Sequence, residues 1–437
     1  MPLNIIGSAL IDGADSIPYF DTIKKVAPYA IGAGAIKYWS RGASNIWERN
    51  LHGKVYIVTG ATTQGMGTSV VMKMAELGAQ LIILTRNVDE WTTDWCNNLR
   101  YSTNNHMVYI EKCDISDLWE IRKFVTGWLD QSPPRRLDGV VVMSGDTEPF
   151  GIPIVGRPTR KSSKDGLEIQ MATNFAGIFH FLDLLQPSLK AQPPDRDVRI
   201  IYVTCWLQSM GRINIEDPLW QDVKYNSALK FFSSSKLQMG LSLMELQRRL
   251  QKSIREQKSN DGVQRTGNNI SISVVQPGTM RSHSLRRVIS NGSIMMLLIV
   301  YCIILYPLLW LFTKSGDRGA QNILYALMTP EFEQVNVEND VNEVKYVSEC
   351  STMKFIRKEY GDEVLQGKLY DNTKNAISLL EKKMAMKRNA DNKTKTKTKT
   401  ESNSNSNSNS NSKSKSKSKS KSKSKSKGKE KEAKKTK

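Results

Sequence analysis

A chain of 437 residues has room for one large α/β domain with extensions. Its formal charge of +20 suggests nucleic acid until the charge is located: residues 387–437 hold 19 Lys or Arg against 4 Asp or Glu, leaving 44 basic and 39 acidic residues elsewhere. No specific nucleic-acid partner is therefore expected of the folded part. Five scattered cysteines (Cys96, Cys113, Cys205, Cys302, Cys350) without a CxxC pair argue against a disulfide framework. Four histidines (His52, His106, His180, His283) lack ligand spacing, so no metal is expected.

Residues 1–50 read as a leader. The opening MPLNIIGSALIDGADS lacks the basic start and long apolar core of a secretory signal. VAPYAIGAGAIKYW (26–39) is too short to span a bilayer. With Trp39, Trp47, Lys37 and Arg41 it would suit a membrane surface, or it packs on the main domain.

From Leu51 strands and helices alternate. VYIVTG (55–60), QLIILTR (80–86), MVYIEKCDIS (107–116), LDGVVVMSG (137–145), VRIIYVTC (198–205) and ISISVVQPG (270–278) read as strands. Helical patterns fill 69–79, 117–130, 166–190 and 226–257. Continuous apolar strands separated by helices predict an α/β fold, a doubly wound parallel sheet of Rossmann-like type in a single domain over 51–385. Ligands of such a sheet bind at the carboxyl ends of its strands.

Residues 294–312, IMMLLIVYCIILYPLLWLF, carry no charge. At ~1.5 Å per residue an α-helix of this run reaches ~28 Å, the depth of a hydrocarbon core. Arginines precede it (Arg281, Arg286, Arg287), and Lys314 and Arg318 follow, so neither flank is favoured as the inside. With Pro307 interrupting the run, a re-entrant hairpin or monotopic helix fits better than a simple span, the alternative being a buried core helix. From residue 386 the chain passes into KT, SN and SK repeats, which cannot bury enough surface to fold and read as a disordered basic tail.

The chemistry begins at TGATTQGMGTSVV (59–71), where the first strand enters a helix. Glycines there let the backbone approach a pyrophosphate seated on the helix N-terminus, making Gly60, Thr62, Gly65, Met66 and Gly67 candidate cofactor contacts. About twenty residues on, the second strand ends in Thr85-Arg86. An acid in that place would accept from a ribose 2′-hydroxyl; an arginine suits a 2′-phosphate and favours NADP(H), unless Arg86 merely caps the strand in solvent.

These motifs together resemble the short-chain dehydrogenase/reductase family, above all its retinol-dehydrogenase-like branch, over roughly residues 51–385. CDIS places Asp114 at the family's adenine contact, and DGLEIQMATNFAGIFHFLDLLQPSL (165–189) places Asn174 in the catalytic asparagine slot. RIIYVTCWLQSMGRI (199–213) resembles the strand bearing the active-site serine, and QPGTMRS (276–282) is similar to the segment beside the nicotinamide, with Pro277 and Gly278. DRGAQNILYALM (317–328) resembles the helix that follows. The leader and apolar insertion resemble those of fungal lipid-droplet members linked to vacuole morphology.

The departures matter as much. The phosphate loop is one residue longer than the family's usual turn, and NNAG becomes VMSG (142–145), keeping Gly145. FSSSK (232–236) keeps Lys236 but sets Phe232 where the family has its proton-donating tyrosine; phenylalanine has no proton to give. Counting back from Gly211 puts Cys205 in the serine slot, and a thiol donates more weakly than a hydroxyl. Tyr225, seven residues before Phe232, shares its face only if the helix extends that far, and Ser233 to Ser235 are expected to point elsewhere. The resemblance implies an oxidoreductase moving a hydride to or from a lipophilic carbonyl or alcohol, on a cytosol-facing membrane, lipid-droplet or endoplasmic-reticulum surface. The alternative is an NADPH-binding membrane sensor or scaffold. Substrate identity and oligomeric state are not legible.

Overall fold

The computed structural model describes residues 19–62, 65–150, 159–193, 195–260, 269–291, 293–333 and 343–408. They fall in two compact units, Met1–Glu381 and Lys382–Lys437. A leader helix, α1 (Phe20–Ser40), comes first. Then β1 (Val55–Thr59), α2 (Met66–Glu76), β2 (Gln80–Thr85), α3 (Glu90–Thr103), β3 (Val108–Lys112), α4 (Leu118–Leu129) and β4 (Gly139–Val142) make the first half. A helical turn at Ile169–Met171 and a π-turn at Ala172–Ala176 run into α5 (Gly177–Lys190), followed by β5 (Val198–Val203), α6 (Ala228–Asn260) and β6 (Ile270–Gln276). After α7 (His283–Ser290) come a π-wound segment (Met296–Leu305), α8 (Tyr306–Phe312) and α9 (Gly316–Met328). The edge hairpin β7 (Lys345–Ser348) and β8 (Ser351–Met353) precedes α10 (Glu363–Ser408).

The strands lie in the order 3-2-1-4-5-6-7-8, parallel throughout except for the antiparallel β7–β8 pair. All five residues of β1 and all six of β5 are buried, because helices cover both faces. One face packs Val58, Ile83, Val141, Ile201 and Val275 against Val70 and Met74 of α2 and Ile323 and Leu327 of α9. On the other lie α4, α5 and α6. Caps set several helix starts: the Asp117 side chain accepts from the Trp119 and Glu120 amides at α4, and Ser315 from Arg318 at α9. The six expected strands are all present. The β7–β8 pair extends the sheet beyond them.

Three further expectations meet the structure here. The leader divides: α1 buries no residue, while Arg49 beyond it reaches 2.7 Å from Asp197 of the main domain. Residues 294–312 do not form one straight α-helix, and among the described residues no helix is long and apolar enough to cross a membrane. π-turns advance less per residue, and Pro307, lacking an amide proton, stands at the start of α8. Finally, the helix entered at Glu363 continues to Ser408, beyond the boundary expected at residue 386, while residues 409–437 lie outside the described residues.

Before that boundary, α10 is tied to α4: Arg122 Nε and Nη2 donate to Glu381 at 2.7 Å each, with His180 Nε2 3.2 Å from the same carboxylate. Burial pushes the Glu381 carboxyl up, but the Arg122 and His180 contacts outweigh it and hold its pKa at about 2. Its contribution is therefore present above the ordinary carboxylate range and lost as pH falls toward 2. Glu381→Gln is expected to cost about 1–2 kcal/mol in urea unfolding at neutral pH, with the gap between the two proteins narrowing in acid.

Candidate active site

The cleft lies at the carboxyl ends of β1, β2, β3 and β4, where the doubly wound order reverses between β1 and β4. It has a volume of about 330 Å³. Gly60 ends β1 with φ +76°, and a Cβ there would fall 2.5 Å from the Ser144 amide nitrogen, so the turn passes flush against the β4 loop. Gly65 caps α2, which begins with Met66; a Cβ on Gly67 would fall 2.4 Å from the Gly60 carbonyl oxygen, and Thr62 lines the cleft wall. Of the loop's extra length, residues 63–64 lie outside the described residues.

Arg86 and Asp114 meet at the far end: Arg86 Nε is 3.7 Å from Asp114 Oδ1 and Nη2 is 3.9 Å from Asp146 Oδ2. Asp114 is fixed in turn by the amide and hydroxyl of Ser116 at 3.0 and 2.9 Å. Arg86 is more than half exposed, so these are loose, screened contacts that leave its guanidinium available to a ligand anion.

The catalytic slots converge at the other end. The π-turn at Ala172–Ala176 carries Asn174, which is fully buried. Such turns re-aim side chains at functional sites. Asn174 Nδ2 donates to Asp146 O at 2.9 Å and Oδ1 accepts from the Asp146 amide at 2.7 Å, clamping the loop after β4. Its Nδ2 also lies 3.3 Å from Ser235 Oγ, so Ser235 faces the site, contrary to expectation. A Cβ on Gly145 would sit 3.2 Å from Asn174 Oδ1 and 3.3 Å from Lys236 Nζ, so a side chain there would crowd both. Lys236 Nζ donates to Val203 O at 3.2 Å and lies 5.1 Å from the ring centre of Tyr202.

Burial pulls the Lys236 ammonium down to about 8, with Cys205 opposing the shift. Burial pushes the Cys205 thiol up, against the lowering influence of Lys236, so sulfur stays protonated at neutral pH. Phe232, one turn before Lys236, is nearly buried with its ring centre 6.3 Å from that of Phe150. Tyr225 offers no replacement: α6 begins only at Ala228, and its ring packs on Phe231. Pro277 and Gly278 follow β6, with Gly278 at φ +86° against Lys314.

Sequence reading missed the acids and cation that close the cleft. Arg287 of α7 reaches Asp146 at 3.1 Å and Glu148 at 2.7 Å, fastening a helix after β6 to the loop after β4. In the sequence only the run of arginines before residue 294 signals it, and that run reads as a membrane flank. The loop beyond Phe150, residues 151–158, lies outside the described residues.

A glycine turn between β1 and α2, an acid after β3 and a buried Asn–Lys pair behind the Gly145 wall of the cleft describe a dinucleotide-dependent oxidoreductase. The family profile of the short chain dehydrogenases matches residues 54–214. An uncharacterized oxidoreductase of Saccharomyces cerevisiae is 71% identical over 394 residues, covering 90% of this chain and 96% of that one. A second, from Schizosaccharomyces pombe, is 33% identical, covering 89% and 98%. Human retinol dehydrogenase 13 is 27% identical over 73% of this chain and 85% of its own length. Among solved structures, an uncharacterized protein from Mycobacterium paratuberculosis superposes with a TM-score of 0.50 at 20% identity, over 77% of this chain and 98% of that one. The chain belongs to the short-chain dehydrogenase/reductase family of oxidoreductases.

Proposed function

We propose that the protein is an NADP(H)-dependent oxidoreductase that transfers a hydride to or from a lipophilic carbonyl or alcohol while seated on a membrane or lipid-droplet surface. The observation that carries this reading is the meeting of Lys236, Asn174 and Gly145 beside a cleft that also holds Arg86 and Asp114. NADPH, when bound, supplies the hydride. Gly60, Thr62, Gly65, Met66 and Gly67 would hold its phosphates on the α2 N-terminus, Asp114 its adenine, and Arg86 its 2′-phosphate.

The chain's own residues then have to handle one proton. With phenylalanine at 232, Lys236 is the proton source: an ammonium held near 8 gives up its proton more readily than a surface lysine. In reduction the hydride joins the carbonyl carbon, the proton leaves Nζ for the oxygen, and solvent restores the ammonium. Asn174 keeps the Asp146 loop in register, and the protonated Cys205 thiol donates weakly to the developing charge.

A lipophilic substrate fits the surroundings. Residues 279–281 and 314 are cross-linked by Arg281 N to Lys314 O and Lys314 N to Thr279 O, both 3.0 Å, so the apolar excursion starts and ends at one place beside the site. Ile294, Met295 and Ile303 are about 70% exposed or more, as are Tyr29 and Trp39 of α1. Exposed apolar surface on this scale marks a membrane or partner surface. Ser40 Oγ donates to Leu311 O at 2.7 Å and Lys37 Nζ to Thr313 O at 3.0 Å, joining α1 to the end of the excursion.

Phe232 favours a second reading, an NADPH-binding membrane sensor or scaffold. Purified protein tested with NADPH against lipophilic aldehydes and ketones separates the two: steady oxidation supports the enzyme, and tight NADPH binding without turnover on any substrate supports the sensor. On cofactor choice, Arg86→Ala is expected to weaken NADPH binding by ~10-fold or more, the scale of a lost charge-assisted contact, and to leave NADH binding unchanged. Equal losses for both would detach Arg86 from the 2′-phosphate.

A further inference from the structure

Beside the cofactor cleft lies a second hollow of about 580 Å³, walled by Thr62, Trp91, Arg281, His283, Arg286 and Tyr301, with Ser282 between them. Among the described residues no carboxylate lines it. The three arginines around α7 differ in how their charge is met. Arg287 is neutralised in the cleft by Asp146 and Glu148. Arg281 donates to neutral carbonyls, Trp310 O at 3.1 Å and Thr313 O at 3.2 Å. Arg286 has no ion-pair partner among the described residues and lies exposed on the helix face. Burial lowers the His283 pKa, and the positive charges of Arg286 and Arg287 lower it further. An anion is what the hollow lacks.

Its position says which kind. Tyr301 is the one buried residue of the π-wound segment Met296–Leu305, and it forms the wall of the hollow. Around it Leu298, Ile299, Ile303 and Ile304 are each roughly half exposed or more. Trp91, half exposed, adds an amphipathic ring at the rim. If the apolar side chains enter an acyl layer, the arginines at their root stand at the level of the lipid phosphates.

Resting on the membrane reading above, we infer that this hollow receives the phosphate headgroup of an anionic phospholipid, with Arg286 and Arg281 as its cations. The headgroup and the apolar excursion then form one docking site, placed against α7 and the cofactor cleft.

The test uses the full-length protein with two vesicle types at fixed ionic strength, phosphatidylcholine alone and phosphatidylcholine doped with phosphatidic acid, beside NADPH binding in solution. The basic tail is common to parent and variants, so only their difference reports on the hollow. Arg286→Gln is expected to bind doped vesicles ~5-fold more weakly, the scale of one cation near an anionic surface. It should match the parent on neutral vesicles and in NADPH affinity, and Arg286→Glu should lose more. Equal binding of parent and Arg286→Gln to doped vesicles would overturn the inference. So would a loss of NADPH affinity in Arg286→Gln, which would give the hollow to a cofactor phosphate. Leu298→Asp tests the underlying reading separately: it should lose both vesicle types. A parent that ignores both vesicle types would defeat the membrane reading and the headgroup site together.

Discussion

Phe232→Tyr is expected to raise the rate of NADPH-driven reduction by ~10²-fold or more, the ordinary worth of a positioned general acid. The substitution adds one oxygen to a buried ring, 8% exposed and one helical turn before Lys236. A tyrosine beside a cation has its hydroxyl pKa drawn down, and it hands over a proton far better than a lysine acting alone. Steady-state kinetics on one responsive aldehyde, with both proteins at equal cofactor occupancy, would show the gain in kcat rather than in KM. A parent without turnover that gains it on this change alone would mark the natural protein as the sensor.

Lys236→Ala is expected to reduce parent turnover by ~10²-fold or more, because it removes the proposed proton source. The pH dependence gives this variant a signature that misfolding would not produce. Reduction needs the ammonium, whose pKa burial holds at about 8, so parent activity should be high below that value and fall as pH rises through it. Lys236→Ala should keep its residual rate without that descending limb. Lys236→Arg should keep the charge but fail to release a proton near neutrality, and so rescue cofactor binding better than turnover. A parent profile flat through pH 8 would remove the lysine from acid catalysis.

Much of the fold was legible because its signals are local. Six largely apolar strands with helical patterns between them announce a parallel sheet, and the glycine turn after VYIVT marks its ligand edge. The edge hairpin was not legible: KYVS and STM are too short and polar to stand out, and their pairing is supplied by β6. The site divides in the same way. Lys236 and Asn174 could be named from spacing, but their approach across Gly145 depends on a π-turn that no periodicity announces. Helical direction alone points Ser235 away from the site, whereas Asn174 Nδ2 donates to its hydroxyl at 3.3 Å. Arg287 was invisible as a cleft residue because its carboxylate partners lie about 140 positions away in sequence.

The most direct measurement follows the hydride itself. NADPH deuterated at the reactive carbon of its nicotinamide ring would be incubated with the parent protein and a lipophilic aldehyde, and the alcohol product weighed by mass spectrometry. Deuterated alcohol from the parent, and ~10²-fold less of it formed in the same time by Lys236→Ala, is the result the account predicts. Alcohol formed without deuterium, or deuterium transferred equally by the Lys236→Ala protein, would contradict it.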